Sequence, residues 1–287
     1  MKEMLCLLFN FVFLCSHAQT AYTSYGKVFR IASSHSMFPD SVRNKLPRIY
    51  QGKTYAAEEH YRDSSVFIFV PSYFDNRKPY HLIFWFHGWN NNIDSALQQF
   101  KLVEQFSNAH LNAVFVFPEG PKNSPDSYGG KFEQPLFFDG FVLDVMNELL
   151  HKNIITVKQR YDISLAGHSG AYRVISYILL HSINKAKAIV LFDALYGEEE
   201  KFAMHLQQNP NCKFINIYTD EGGTLQPSKN LMMDMDAWKW KYLQREEDAC
   251  TDAELKKDRI VFLHSNKAHN DVITNNNNLE KFLRSLF

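Results

Sequence analysis

Neither sign of charge is in excess in this chain of 287 residues, where 31 lysines and arginines face 31 aspartates and glutamates. That balance leaves no global field to draw in nucleic acid or an acidic membrane surface. Cysteine is scarce, 4 in all, and neither Cys212 nor Cys250 has the CxxC or Cys/His spacing of a zinc site. No structural metal and no disulfide-rich framework is therefore expected. After the N-terminus no apolar run is long enough to cross a bilayer. There is no internal repeat and no inter-domain linker, and Asn275 to Asn278 is too short to be more than a turn and a helix cap. What remains is 45% hydrophobic, enough to bury one large core.

The first residues read as an export signal. Lys2 precedes an almost wholly apolar stretch from Met4 to Cys15, and Ser16-His17-Ala18 puts small residues three and one before a cut ahead of Gln19. Phe13 and Leu14 are too bulky for lipoprotein processing at Cys15. Residues 1–18 are thus expected to be removed, the protein secreted or periplasmic, and no membrane anchor left behind. Cys212 and Cys250 then remain, and the sequence does not say whether they pair. Residues 19–64, with Pro39 and Pro47 and little periodicity, are expected to pack around the outside of a domain spanning 65–287.

Within that domain the pattern alternates. Ser65–Val70, His81–Phe86, Ala113–Phe117, Asp162–Ala166, Ala188–Phe192, Lys213–Tyr218 and Arg259–His264 are apolar strand runs. Between them lie helical spacings: one capped by Asp94 and running to Phe106, one from Phe138 to Leu150, one from Ala171 to Leu180, and a closing helix from Leu279 to Phe287. The fold class is α/β, a mostly parallel central sheet with helices on both faces.

In such sheets functional groups gather at the carboxyl ends of the strands. Those ends read His87-Gly88-Trp89, Pro118-Glu119-Gly120, Gly167-His168-Ser169, Phe192-Asp193-Ala194 and Thr219-Asp220-Glu221, with His269 in the loop after His264. In Tyr161-Asp-Ile-Ser-Leu-Ala-Gly-His-Ser-Gly-Ala-Tyr-Arg173 a strand passes through a small-residue turn straight into a helix. A serine at that turn is pushed outward, as at a nucleophile elbow.

The chain from about Ser65 onward resembles α/β-hydrolases. It is most similar to the secreted esterase branch that includes polyhydroxybutyrate depolymerases and feruloyl or acetylxylan esterases. The pieces that carry the resemblance are Leu82-Ile-Phe-Trp-Phe-His-Gly88, Val114-Phe-Val-Phe-Pro-Glu-Gly120, Phe138-Asp-Gly-Phe141, Ala166-Gly-His-Ser-Gly-Ala171 and Ile217-Tyr-Thr-Asp220. Ala171 departs from the usual glycine. The resemblance implies a cofactor-independent hydrolase with nucleophile, acid and base in the chain order Ser169, Asp220, His269. Asp193, one strand earlier, is the alternative acid. Ser169 needs a base within reach, which His269 supplies, and the acid orients that imidazole. The backbone N–H groups of Gly170 and Trp89 would hold the oxyanion.

Weaker expectations complete the picture. His87 organises the oxyanion loop beside substrate, and Lys131, on a mobile 128–134 loop, touches it. Arg173 either binds a substrate carboxylate or makes a structural ion pair. The substrate expected is a small-molecule or polymer ester. Amide or peptide cleavage, and an inactive hydrolase fold used for binding, are the alternatives. The sequence is silent on oligomeric state.

Overall fold

The computed structural model describes residues 21–286, so the expected export signal lies outside the described residues. The strands are β1 (Gly26–Ala32), β2 (Arg48–Tyr50), β3 (Lys53–Tyr55), β4 (Ser65–Pro71), β5 (Tyr80–Phe86) and β6 (Ala113–Pro118). They continue with β7 (Tyr161–His168), β8 (Ala186–Phe192), β9 (Lys213–Thr219), β10 (Leu243–Glu246) and β11 (Ile260–Ser265). The described residues form a nine-stranded sheet in the order β1-β4-β6-β5-β7-β8-β9-β11-β10, while β2 and β3 pair as a separate hairpin. From β6 to β10 every pairing is parallel, and β4 runs antiparallel to both its neighbours.

The central strands are apolar on both faces because both faces are covered. On β5, Leu82, Phe84 and Phe86 enter one core layer, while Ile83 and Trp85 enter the other, the two-residue period of a strand. The helices α1 (Ile93–Gln99), α2 (Leu102–Asn108) and α3 (Asn278–Ser285) pack on one face, and the helices Phe137–His151, Tyr172–His181, Glu199–Gln208 and Leu225–Ala237 on the other. Each layer fills with aromatic and branched side chains, among them Phe84, Phe138 and Phe141 on one side and Trp85, Phe192 and Phe282 on the other.

Three local features differ from the sequence reading. The helix expected to start at Asp94 starts at Ile93, because the side chain of Asn92 accepts the Ser95 N–H and caps it. It breaks after Gln99, where Lys101 takes a left-handed φ of 48°, and resumes as α2. Asp94 is instead turned outward to Arg30. In the segment before residue 65, β1 completes the sheet on the edge of β4, so this segment is built into the layer as well as packed around it.

Candidate active site

Ser169 stands at the C-terminal end of β7 with a left-handed φ of 57°. Such strain is stored where a side chain must be held out of a turn. The neighbours make the turn fit. A Cβ on Gly167 would stand 2.6 Å from the Ala171 Cβ, so the alanine at 171 is accommodated because 167 is glycine. A Cβ on Gly88 would stand 2.5 Å from the Ser169 Cβ, which lets the 88–91 loop lie directly against the elbow. Gly170 is the second residue of a short helical turn, where the N–H has no partner one turn earlier. The Trp89 side chain and the Ser127 hydroxyl crowd its Cα.

His269 and Ser169 line the same cleft, a cavity of about 610 Å³ whose other walls include Trp89, Tyr172 and Tyr196. The imidazole of His269 donates from Nδ1 to Asp193 Oδ2 at 2.5 Å. Asp193 is fully buried at the end of β8, with φ of 44°. Its carboxylate also accepts from the Thr219 N–H at 3.0 Å, the Thr219 hydroxyl at 2.9 Å and the Thr224 hydroxyl. Burial works against the charge on Asp193, but the hydrogen bonds from His269, Thr224 and Thr219 and the charge on His269 outweigh it. The carboxyl is held below its ordinary range. Gly222 closes over this group, since a Cβ there would meet Asp193 Oδ2 at 2.1 Å.

The expected acid, Asp220, is not joined to His269. Its Oδ1 accepts from Nε2 of His264 at 3.0 Å, and Nδ1 of that ring faces Glu246 Oε2 at 2.9 Å. Asp220 lies past the end of β9 with its side chain 61% exposed, and it turns toward β11. The alternative, Asp193, makes the contact because β8 ends deeper, beneath the loop that carries His269.

His168 supports that loop from below. Its ring is buried, lies tilted against His269 at 4.5 Å between ring centres, and donates from Nε2 to the His269 carbonyl at 3.1 Å. Burial, with the nearby His269 adding to it, pushes its pKa down to about 3, so the ring is neutral. His87 is buried away from the cleft: Nδ1 faces the Gly88 carbonyl at 2.7 Å and Nε2 faces Glu119 Oε1 at 2.9 Å. Glu119 Oε2 also accepts the Ile93 N–H. This buried pair fixes the 87–93 loop and keeps the His87 side chain out of the cleft lining.

For Arg173 the ion-pair alternative is the one seen, and Lys131 also has its partner outside the cleft. Arg173 makes a two-pronged pair with Glu133, at 2.6 and 2.8 Å, so its guanidinium is engaged outside the cleft. Lys131 donates to the Ser34 carbonyl and does not line the cavity. The 128–134 segment is anchored by Phe132, which is fully buried. Cys212 and Cys250 are both buried free thiols.

Several cleft residues escaped the sequence reading. Ser127 accepts the indole N–H of Trp89 at 2.7 Å, and Tyr50 packs edge-on against that indole at 5.4 Å. Ser127 is held in turn by its neighbour Asp126, which accepts from Arg43 and Tyr61. The 21–64 segment therefore braces one wall of the cleft. Tyr196 and Asn270 also line the cleft, three residues after Asp193 and one after His269. Strand-end proximity was the signal that could have found them.

No protein-family profile matches this sequence, and no curated protein is similar to it. Solved structures are similar in fold. One is a ferulic acid esterase, at a TM-score of 0.56 and 12% identity, covering 91% of this chain and 98% of that one. A fluorophosphonate-binding serine hydrolase of Staphylococcus aureus matches at 0.52 and 11%, covering 90% and 96%. An S-formylglutathione hydrolase of the same organism matches at 0.51 and 13%, covering 77% and 89%. The chain has the α/β-hydrolase fold, and the resemblance read from the motifs holds at the level of fold.

Proposed function

We propose that the protein is an exported serine hydrolase that cleaves a carboxylic ester through an acyl-enzyme. The observation that carries this reading is the buried 2.5 Å contact between His269 and Asp193, opening beside Ser169 in one cleft. Esterases and serine hydrolases among the structures of like fold add support.

In this mechanism His269 takes the proton of Ser169 as its oxygen attacks the acyl carbon, and Asp193 stabilises the imidazolium. The N–H groups of Gly170 and Trp89 hold the oxyanion in the tetrahedral intermediate. As the intermediate collapses the bond to the alcohol oxygen breaks and His269 returns the proton to that oxygen. Water activated by His269 then releases the acid and restores Ser169. The cleft walls are amide, hydroxyl and aromatic groups, including Asn91, Gln99, Trp89 and Tyr172. That lining suits a neutral ester with hydroxyl or aromatic surfaces better than an anionic one.

The test is turnover of neutral esters, carboxylate-bearing esters and matched amides by the purified protein and by Ser169→Ala. The expected result is fastest hydrolysis of a neutral ester, lost by at least about 10⁴-fold in the variant, whose melting temperature is unchanged. Equal turnover by the variant would overturn the nucleophile assignment. Faster cleavage of the amides would overturn the ester reading.

A further inference from the structure

The wall of the cleft formed by Trp89 and Gly170 also carries a side-chain hydroxyl. Ser127 Oγ accepts the Trp89 indole N–H at 2.7 Å, and Ser127 lines the cavity together with Ser169, Gly170 and His269. A Cβ built on Gly170 would stand 2.7 Å from that oxygen. Because Cβ and N are bonded to the same Cα, the hydroxyl lies within about 5 Å of the Gly170 nitrogen. Two donors that close together can share one acceptor, each at an ordinary hydrogen-bond length.

Ser127 is held by the residues on either side of it. The Asp126 N–H closes on the Ser124 carbonyl at 2.9 Å. The buried Asp126 carboxylate accepts from Arg43, from the Tyr61 hydroxyl and from the Tyr128 N–H. The Tyr128 hydroxyl in turn donates to Asp40 at 2.8 Å. The Ser127 oxygen is thus placed before any substrate arrives. A serine hydroxyl has one proton to give as well as lone pairs to receive with. The indole uses a lone pair, and among the described residues no group of the protein takes the proton.

Resting on the ester-hydrolase reading, we infer that Ser127 is a catalytic residue, a side-chain donor to the oxyanion alongside the backbone N–H groups of Gly170 and Trp89. A substrate carbonyl oxygen carries little charge and accepts weakly. When Ser169 attacks, the π pair of the C=O bond moves onto that oxygen, and the Ser127 hydroxyl donates to it from a fixed position. The proton of Ser169 still passes to His269, and Ser127 keeps its own. As the C=O bond reforms and the alcohol leaves, this hydrogen bond weakens again.

The experiment compares the full chain with Ser127→Ala, with Trp89→Phe, which keeps its backbone N–H, and with the double variant. The substrate is p-nitrophenyl acetate. The probe is phenyl trifluoromethyl ketone, which Ser169 converts to a hemiketal bearing the oxyanion. The expected result for Ser127→Ala is a fall in kcat of about 10- to 100-fold, the range for a hydrogen bond to a charged oxygen, with KM within about 3-fold. Affinity for the ketone should fall by the same factor, with the melting temperature unchanged. The same loss must recur when Ser127→Ala is added to Trp89→Phe. A loss that vanishes there would show that Ser127 only tethers the indole, and would overturn the inference. A loss confined to KM, or unchanged affinity for the ketone, would overturn it as well. Should the alanine variant lose stability, Ser127→Cys, which fills the site with a weak donor, must show the same fall in kcat, and full activity there overturns the inference. Failure of the underlying reading is separate, because the unaltered protein would then not hydrolyse the ester.

Discussion

Two aspartate–histidine pairs stand at the same end of the sheet in different surroundings. In the first, Asp193 is fully buried and meets His269 while three other donors, two hydroxyls and a backbone N–H, saturate its oxygens. In the second, Asp220 is 61% exposed and meets a His264 whose other nitrogen is held by Glu246. His269 spends one nitrogen on its carboxylate and shares a cleft with a serine. His264 spends both nitrogens on carboxylates and joins the ends of β9, β10 and β11 as a clasp. A general base must keep one nitrogen for its substrate. By that rule the first pair suits chemistry and the second suits structure.

The largest way to sharpen this contrast is to neutralise each carboxylate in turn. Asp193→Asn presents an amide that favours the wrong imidazole tautomer, and kcat/KM should fall by about 10³- to 10⁴-fold. Asp220→Asn should stay within about 3-fold of the unaltered enzyme, as expected for a residue outside the cleft. The same ester assay reads both, and a large loss in Asp220→Asn alone would exchange the two assignments.

The buried His168 separates the regions by pH. Its folded pKa of about 3 lies below an unfolded value of about 6.5. Between those values the unfolded chain binds a proton that the folded chain refuses, so stability falls as pH drops. At pH 5 the loss is about 2 kcal/mol relative to neutral pH. Denaturant melts at pH 7 and pH 5 should show it, and His168→Gln should remove this part of the slope. An unchanged slope in that variant would show that the ring is not the source.

His264 has the opposite sign. Burial lowers its pKa, but hydrogen bonds from its ring to Glu246 and Asp220, with their charges, raise it overall. The clasp therefore contributes fully below the unfolded value of about 6.5 and fades as pH rises through the higher folded one. Solvent screens so exposed a pair. His264→Gln should cost less than about 1 kcal/mol at pH 5.5 and nothing measurable at pH 8.5. A loss that grows at high pH would contradict the clasp.

Legibility in the sequence followed burial. Strands such as β5 and β7 were readable because both faces are covered and the runs are largely apolar and buried. The edge strands β1 and β10 were not, since Gly26–Ala32 and Leu243–Glu246 carry polar residues where one face or edge meets water. That Ser169 and His269 reach one cleft could be read because a local turn and a strand-end position place them. Which aspartate meets His269 could not be chosen between two strand ends, because the choice depends on where side chains turn in space. Asp220 was captured by His264, and no short-range pattern records that capture. Arg173 and Lys131 were charges whose partners, Glu133 and the Ser34 carbonyl, satisfy them outside the cleft.

The central claim, that Ser169 is an activated nucleophile served by His269 and Asp193, is tested most directly by the rate of fluorophosphonate labelling with the adduct located by mass spectrometry. The account predicts rapid labelling of Ser169 in the unaltered protein and in Asp220→Asn, and labelling slowed by orders of magnitude in Asp193→Asn. An adduct at another residue, or no adduct on folded protein, would contradict it.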